Sequence, residues 1–301
     1  MIKTILVATD FSKSAKNAAL YAVEMAKALD ADLILFHAYH VPAAYIRGEA
    51  ILTTKETNRQ LTKALEAEAE RIDPSSQLSI NIISKESKTL AGILAEAKAA
   101  DADLVIIGMK DLGHHRRQVF GSTATALINQ INIPFLVIPE TAKYSIPRII
   151  TLASDIDEEI ETNIHLLYFL RQMAEHFDSS IHVVRVIRGK WNMADESTNP
   201  TIHRLNHLLA NLEVKYEYSN NSNITDGLID LVKKNKSDLL VMIPHKHDLM
   251  ERIFFKSESK DMLFHTQVPL LLLPELPDIK QSKGRAIVGL RTSGSLPNAA
   301  S

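Results

Sequence analysis

Two hydrophobic patterns alternate along this chain. Short unbroken apolar runs come first: Ile5-Leu6-Val7-Ala8, Leu33-Ile34-Leu35-Phe36, Leu104-Val105-Ile106-Ile107 and Phe135-Leu136-Val137-Ile138. Runs of this length with no polar alternation predict strands covered on both faces. Between them, apolar residues recur at helical spacing: Ala15, Ala18, Ala19, Ala22, Met25, Ala26 and Leu29, then Leu90, Ile93, Leu94 and Ala97. Ser12 or Ser14 fits as the cap of the first such helix, and Ser87 or Thr89 as the cap of the second. Gly48 to Ile72 predicts a longer amphipathic helix, with Leu61, Leu65, Ala69 and Ile72 on one side and many charges on the other. It reads as a solvated cover over one edge of a sheet.

The pattern is written twice. Lys3 to Asp10 matches Arg148 to Asp155, and Asp32 to Ala38 matches Ser180 to Val186. Asp103 to Ile107 matches Asp238 to Met242, and Ile133 to Glu140 matches Val268 to Glu275. Matches in one order predict an internal duplication with one domain per copy. The expected domains are 1–141 and 146–276, joined by a short polar link from Thr141 to Ile146. Residues 280–301 read as a flexible tail. In the second copy Ile224, Leu228, Leu231 and Val232 repeat the helical spacing. Alternating strands and helices predict an α/β fold: two tandem, doubly wound, open parallel-sheet domains of about five strands each. Ligands of such sheets bind beyond the carboxyl ends of the strands, where Asp10 and Gly108 fall.

The chemistry concentrates between Asp103 and Pro139. The run Leu104–Ile107 ends at Gly108, and a polar, basic loop follows through Met109, Lys110, Asp111, His114, His115, Arg116 and Arg117. Then come Gly121-Ser122-Thr123 and a helical pattern. A helix opening just after Gly-Ser-Thr offers free N–H groups and a positive dipole end to an anion. Glycine lets the backbone approach that anion closely. Nucleotide phosphates are therefore the leading ligand. Turn glycines with an ordinary helix cap are the plain alternative.

Composition narrows the picture. The 301 residues carry a formal net charge of −2 and no cysteine. A near-neutral chain gives no electrostatic footprint for nucleic acid. Without cysteine there are no disulfides, thiolate metal sites or thiol nucleophiles. No apolar run reaches membrane-spanning length, so a cytoplasmic protein without membrane contact is the default expectation. His114-His115 and His245-Lys246-His247 lack the spacing of a metal-ligand set, so no metal site is expected.

These residues resemble the universal stress protein family in its tandem form, with an adenine nucleotide alpha hydrolase-like, Rossmann-like fold. Nucleotide-binding members carry Gly, two residues, Gly, nine residues, then Gly-Ser or Gly-Thr. Here the register gives Gly108, Met109-Lys110, Asp111, nine residues, and Gly121-Ser122, with Asp111 in place of the second glycine. The family's Asp at the end of the first strand, facing ribose and adenine, matches Asp10. The residue lining the adenine pocket after the second strand falls near Ala38. The resemblance implies ATP or a related adenine nucleotide in the first copy, held by Asp10, Ala38, Gly108, Lys110, Asp111, Gly121, Ser122 and Thr123. A carboxylate about 4 Å from a phosphate charge costs roughly 4 kcal/mol at an effective dielectric of about 20. Asp111 therefore either points away, helps hold Mg²⁺, or marks a site that has lost ATP.

In the second copy Ile243 stands opposite Gly108, Lys246 opposite Asp111, Lys256 opposite Gly121 and Ser257 opposite Ser122. Every signature glycine is gone, so this copy is expected not to bind nucleotide in the family manner. It would pack against the first copy as an internal pseudo-dimer, through Val137-Ile138 and Leu271-Leu272, and a further homodimer stays open. Three function classes remain. The first is a nucleotide-binding stress-response or regulatory sensor. The second is a scaffold using both copies without nucleotide. The third, ranked last, is a related α/β enzyme. No activated nucleophile is evident, and His37 and Asp111 are only the nearest candidates for a base. Slow ATP hydrolysis or autophosphorylation is the most the resemblance allows.

Overall fold

The computed structural model describes residues 2–40, 45–46, 49–50, 54–110, 126–127, 130–153, 164–187, 200–243 and 268–274. In chain order the strands are β1 (Thr4–Ala8), β2 (Asp32–Tyr39), β3 (Tyr45–Ile46), β4 (Glu49–Ala50), β5 (Ile80–Glu86), β6 (Leu104–Met109), β7 (Phe135–Pro139), β8 (Ile149–Ala153), β9 (Ser180–Ile187), β10 (Val214–Asn220), β11 (Leu239–Met242) and β12 (Leu270–Leu272). The principal helices are α1 (Lys13–Leu29), α2 (Thr54–Ile72), α3 (Thr89–Ala99), α4 (Ile164–Phe177), α5 (Pro200–Leu208) and α6 (Ile224–Lys234).

Ten strands form one sheet in the order β10-β9-β8-β11-β12-β7-β6-β1-β2-β5. Each half has the same internal order, with its first strand in the middle. Every pairing in this sheet is parallel except one. β12 runs antiparallel to β7, with Leu270 opposite Val137, Leu271 opposite Leu136 and Leu272 opposite Phe135. In the repeat alignment Leu136 and Leu271 are counterparts, so a pseudo-two-fold axis passes through this pair.

The strands are buried on both faces because their side chains alternate between two cores. Ile5 and Val7 pack with α1, α2, α4 and α5 on one side. Leu6 packs with α3 and α6 on the other. The repeat extends to turns that the hydrophobic pattern does not reveal. Asp103 Oδ2 accepts from the amides of Lys3 (2.7 Å) and Thr4 (3.0 Å), and Asp238 Oδ2 from those of Arg148 (3.0 Å) and Ile149 (2.9 Å). Left-handed residues end equivalent helices at Asp30 (φ 52°) and Asp178 (φ 51°).

Several expectations shift in detail. The helix expected from Gly48 begins at Thr54, and part of the preceding segment forms the short pair β3–β4. α2 does cover an edge, since β5 is the last strand of the sheet. Neither Ser87 nor Thr89 caps α3: its cap residue is Lys88, whose side chain makes no capping bond, and Ser87 Oγ is buried without a partner. The link between the halves is anchored rather than merely polar. Asn17 Nδ2 donates to the carbonyls of Pro139 (2.9 Å) and Ala142 (2.8 Å). Tyr144 stacks edge-on against Tyr21, with ring centroids 5.0 Å apart. Across the axis, His176 Nε2 lies 2.8 Å from the Ala28 carbonyl.

Candidate functional site

The first half has its topological switch point between β1 and β6, since β2 and β5 lie on one side of β1 and β6 and β7 on the other. Crevices of this kind open at the carboxyl ends of the strands. Val7 pairs with Ile106, two residues before Gly108, and Ala8 pairs with Phe36, two residues before Ala38. Asp10, Ala38 and Gly108 therefore gather at one end of three adjacent strands. Lys110 is exposed just past the end of β6. Asp111, Gly121, Ser122 and Thr123 lie outside the described residues, as do the loop histidines, Lys246, Lys256 and Ser257.

The bend from β1 into α1 presents Asp10. Thr9 is buried, and its amide donates to the Phe36 carbonyl at 2.9 Å. Its Oγ1 accepts from the Phe11 amide at 3.0 Å. Asp10 is exposed and its Oδ1 accepts from the Ser12 amide at 2.9 Å. Ser12, not Asp10, caps α1, accepting from the Ala15 amide at 3.2 Å. Phe11 turns the chain with φ 62°, a left-handed conformation that costs a non-glycine residue roughly 1–2 kcal/mol. His37 in β2 meets this bend twice. Its Nδ1 lies 2.7 Å from the Thr9 carbonyl, and its ring sits against Phe11 with centroids 4.8 Å apart.

Gly108 is not a loop residue. It lies inside β6, opposite Ile138 of β7. A Cβ there would meet the Ser14 carbonyl oxygen at 2.4 Å and the Ala15 nitrogen at 2.8 Å. The glycine lets the first turn of α1 sit against the end of β6, which fixes Asp10 beside the crevice. Lys13 reinforces this placement through an ion pair with Glu140 at the end of β7, 2.8 Å long. Ala38 is the seventh residue of β2 rather than a residue beyond it. It borders Gly92 of α3, whose added Cβ would stand 3.3 Å from Ala38 Cβ.

The second half keeps an aspartate, Asp155, opposite Asp10 but departs at the other equivalent positions. Ile243 replaces Gly108, and the chain segment equivalent to Ser14 lies outside the described residues. Val186 replaces Ala38, and its Cγ1 already lies 2.7 Å from where Gly227 would carry a Cβ. Arg185 replaces His37. This half instead holds a polar network that the sequence reading did not single out. His182 Nδ1 lies 3.0 Å from Glu217 Oε1, and Lys234 Nζ 2.7 Å from Glu217 Oε2. Burial pushes the Glu217 carboxyl up, and hydrogen bonds from Lys234 and His182 outweigh it, holding the group below its ordinary value. Among the described residues no three His, Asp or Glu side chains are grouped to hold a metal ion.

A sequence profile of the universal stress protein family matches residues 1–139. The protein described as "Universal stress protein in QAH/OAS sulfhydrylase 3'region", from Thermus aquaticus, is 30% identical over 138 residues, covering 46% of this chain and 99% of its own length. The chain belongs to the universal stress protein family. Two solved structures extend the likeness of fold to both halves. A universal stress protein from Archaeoglobus fulgidus superposes with a TM-score of 0.69 at 11% identity, over 90% of this chain and 98% of its own. A putative universal stress protein from Pseudomonas aeruginosa gives 0.55 at 16% identity, over 91% and 93%. The tandem universal stress protein architecture thus accounts for the ten-stranded sheet. Among the described residues no helix is long and apolar enough to cross a membrane.

Proposed function

We propose that the first half binds ATP or a related adenine nucleotide and acts as a stress-response or regulatory sensor, while the second half serves as its internal partner. The observation that carries the reading is the exposed Asp10 on a hydrogen-bonded bend at the switch point, next to Gly108. A carboxylate so held suits two ribose hydroxyls, which donate while it accepts. In this reading Ala38 borders the base. Lys110, Ser122, Thr123 and the amides after Gly121 meet the phosphates, and Asp111 faces a bound Mg²⁺ or turns away. The corresponding domains are 1–141 and 146–276, and the β7–β12 pairing makes them an internal pseudo-dimer.

No nucleophile at the mouth has a base within hydrogen-bond reach among the described residues. A sensor therefore suits this geometry better than a fast catalyst. Equilibrium binding of labelled ATP, with and without Mg²⁺, tests the reading against Gly121→Lys. The variant should lose binding, because a lysine side chain would occupy the phosphate approach. Equal binding by both proteins would refute the cradle. A second reading, a scaffold that binds no nucleotide, is favoured by Asp111 in the signature and by the side chains of Ile243 and Val186 at the second mouth. Mass spectrometry of gently purified protein separates the two: a co-purifying adenine nucleotide excludes the scaffold.

A further inference from the structure

Asp10 sits on a bend that its own hydrogen bond alone does not fix. Its Oδ1 ties only the residue two places ahead, Ser12. The residues on either side of it, Thr9 and Phe11, are both held by one side chain from the neighbouring strand. His37 Nδ1 lies 2.7 Å from the Thr9 carbonyl. A carbonyl only accepts, so Nδ1 carries the proton and donates, which fixes the tautomer of the neutral ring. The same ring packs at 4.8 Å and 52° against Phe11, the bulky residue held at φ 62°. A left-handed phenylalanine persists only where its surroundings over-determine it. Here the Thr9 hydroxyl takes its amide and the imidazole meets its ring.

We infer that His37 is a positioning residue of the nucleotide site, gripping Thr9 and Phe11 so that the Asp10 carboxylate is aimed at the ribose hydroxyls. The inference rests on the nucleotide reading of this mouth. It adds that the site selects nucleotides with intact ribose hydroxyls through a histidine that itself touches no ligand. Two features of the fold agree with such a role. His37 is half-buried in β2, which is hydrogen-bonded to β1 on one side and to β5 on the other. The second half, whose mouth lacks the glycine, carries Arg185 at the equivalent place.

Two variants split the grip. His37→Asn keeps a side-chain N–H donor near the Nδ1 position and loses the ring. His37→Phe keeps the ring and loses the donor. Amide hydrogen exchange on the ligand-free full chain reads the bend directly. Exchange at Phe11 and Ser12 should rise by about tenfold or more in His37→Ala, with partial recovery in Asn and in Phe. Calorimetric titration then compares AMP with 2′,3′-dideoxy-AMP. AMP should bind His37→Ala about ten- to a hundredfold more weakly than wild type, the scale typical of supporting residues that orient a ligating group. The dideoxy compound should bind both proteins alike, and His37→Ala should add nothing in an Asp10→Asn background.

Unchanged exchange in His37→Ala would overturn the grip, whatever the ligand results. Altered exchange with unchanged AMP affinity would overturn the link to Asp10. Where AMP does not bind, ADP or ATP and the matching 2′,3′-dideoxy compound take its place; failure of the wild-type protein to bind any of the three would overturn the nucleotide reading and this role with it, and the exchange data would show separately whether the bend is held as described.

Discussion

Replacing Gly108 by alanine adds one methyl group at the point where β6 meets α1. That methyl would lie 2.4 Å from the Ser14 carbonyl oxygen, 2.5 Å from its carbon and 2.8 Å from the Ala15 nitrogen. Ordinary contact is 3.4–4 Å, so the helix start or the strand end must move by about 1 Å. Overpacking a well-packed site costs roughly 1–3 kcal/mol. The atoms met here are backbone and cannot rotate away, which points to the upper end. Moving the first turn also endangers the 3.2 Å cap from the Ala15 amide to Ser12, worth about 1 kcal/mol. The expected loss is therefore about 3 kcal/mol, more than a hundredfold in the folding equilibrium. Gly92→Ala is the control. Its new methyl meets the Ser87 hydroxyl at 2.2 Å, but that group is at the end of a short side chain, and the next contacts are 3.1 and 3.3 Å. Alanine also gains about 1 kcal/mol over glycine in a helix interior, so this variant should stay within about 1 kcal/mol of wild type. Urea unfolding followed by circular dichroism measures both. A Gly108→Ala midpoint equal to wild type, or a larger loss in Gly92→Ala, would refute the close-approach argument.

Other outcomes follow from the same geometry. Asp73 is buried and accepts from Lys27 Nζ (2.9 Å), the Leu78 amide (2.8 Å) and Ser75 Oγ (3.2 Å); the Lys27 bond, then the Leu78 amide, hold its carboxyl below the ordinary 3.8. A depressed folded value means its contribution is complete above that ordinary value and is lost as the pH falls below it, so Asp73→Ala should cost about 1–3 kcal/mol at pH 7 and progressively less towards pH 2 in chemical denaturation. Burial, with the Glu24 charge adding to it, raises Tyr144 to about 12, and burial, then the charges of Tyr144 and Asp238, raises Tyr21 further. Burial raises Tyr216 to about 12 as well; because the unfolded phenols ionise near 10, stability should fall from pH 10 upward, and ultraviolet titration of the folded chain should show at least three tyrosines that ionise well above pH 10. Leu271→Ala removes a fully buried side chain on the pseudo-two-fold axis, which should cost about 2–5 kcal/mol and separate the thermal unfolding of the two halves in calorimetry.

The fold was largely legible because both of its signals are periodic. Runs such as Leu104–Ile107 have no polar face and so name central strands, while the alanine-rich spacing of α1 names a helix. The two outer strands were harder. Ile80–Glu86 and Val214–Asn220 mix polar and apolar residues, since an edge strand is only partly covered. The beginning of α2 was misplaced because charge patterning does not mark where a helix starts. At the site, Asp10 and Gly108 were legible but the contact of Gly108 with the first turn of α1 was not: spacing along the chain carries no information about Ser14, far away in sequence. The bend at Phe11 left no trace at all, since phenylalanine is an unfavourable residue for φ 62°. His37 was visible as a polar residue in an apolar strand and as one of the nearest candidates for a base, not as a support for the bend. Its attachment to Thr9 depends on the register of β1 with β2.

The central claim is that one half of this chain holds an adenine nucleotide and the other does not. Isothermal titration of the intact protein with AMP, ADP and ATP, with Mg²⁺ present, measures this directly. The account predicts saturable binding of at least one of the three with a stoichiometry of one nucleotide per chain, abolished by Gly121→Lys. No heat with any of them, or two nucleotides bound per chain, would contradict it.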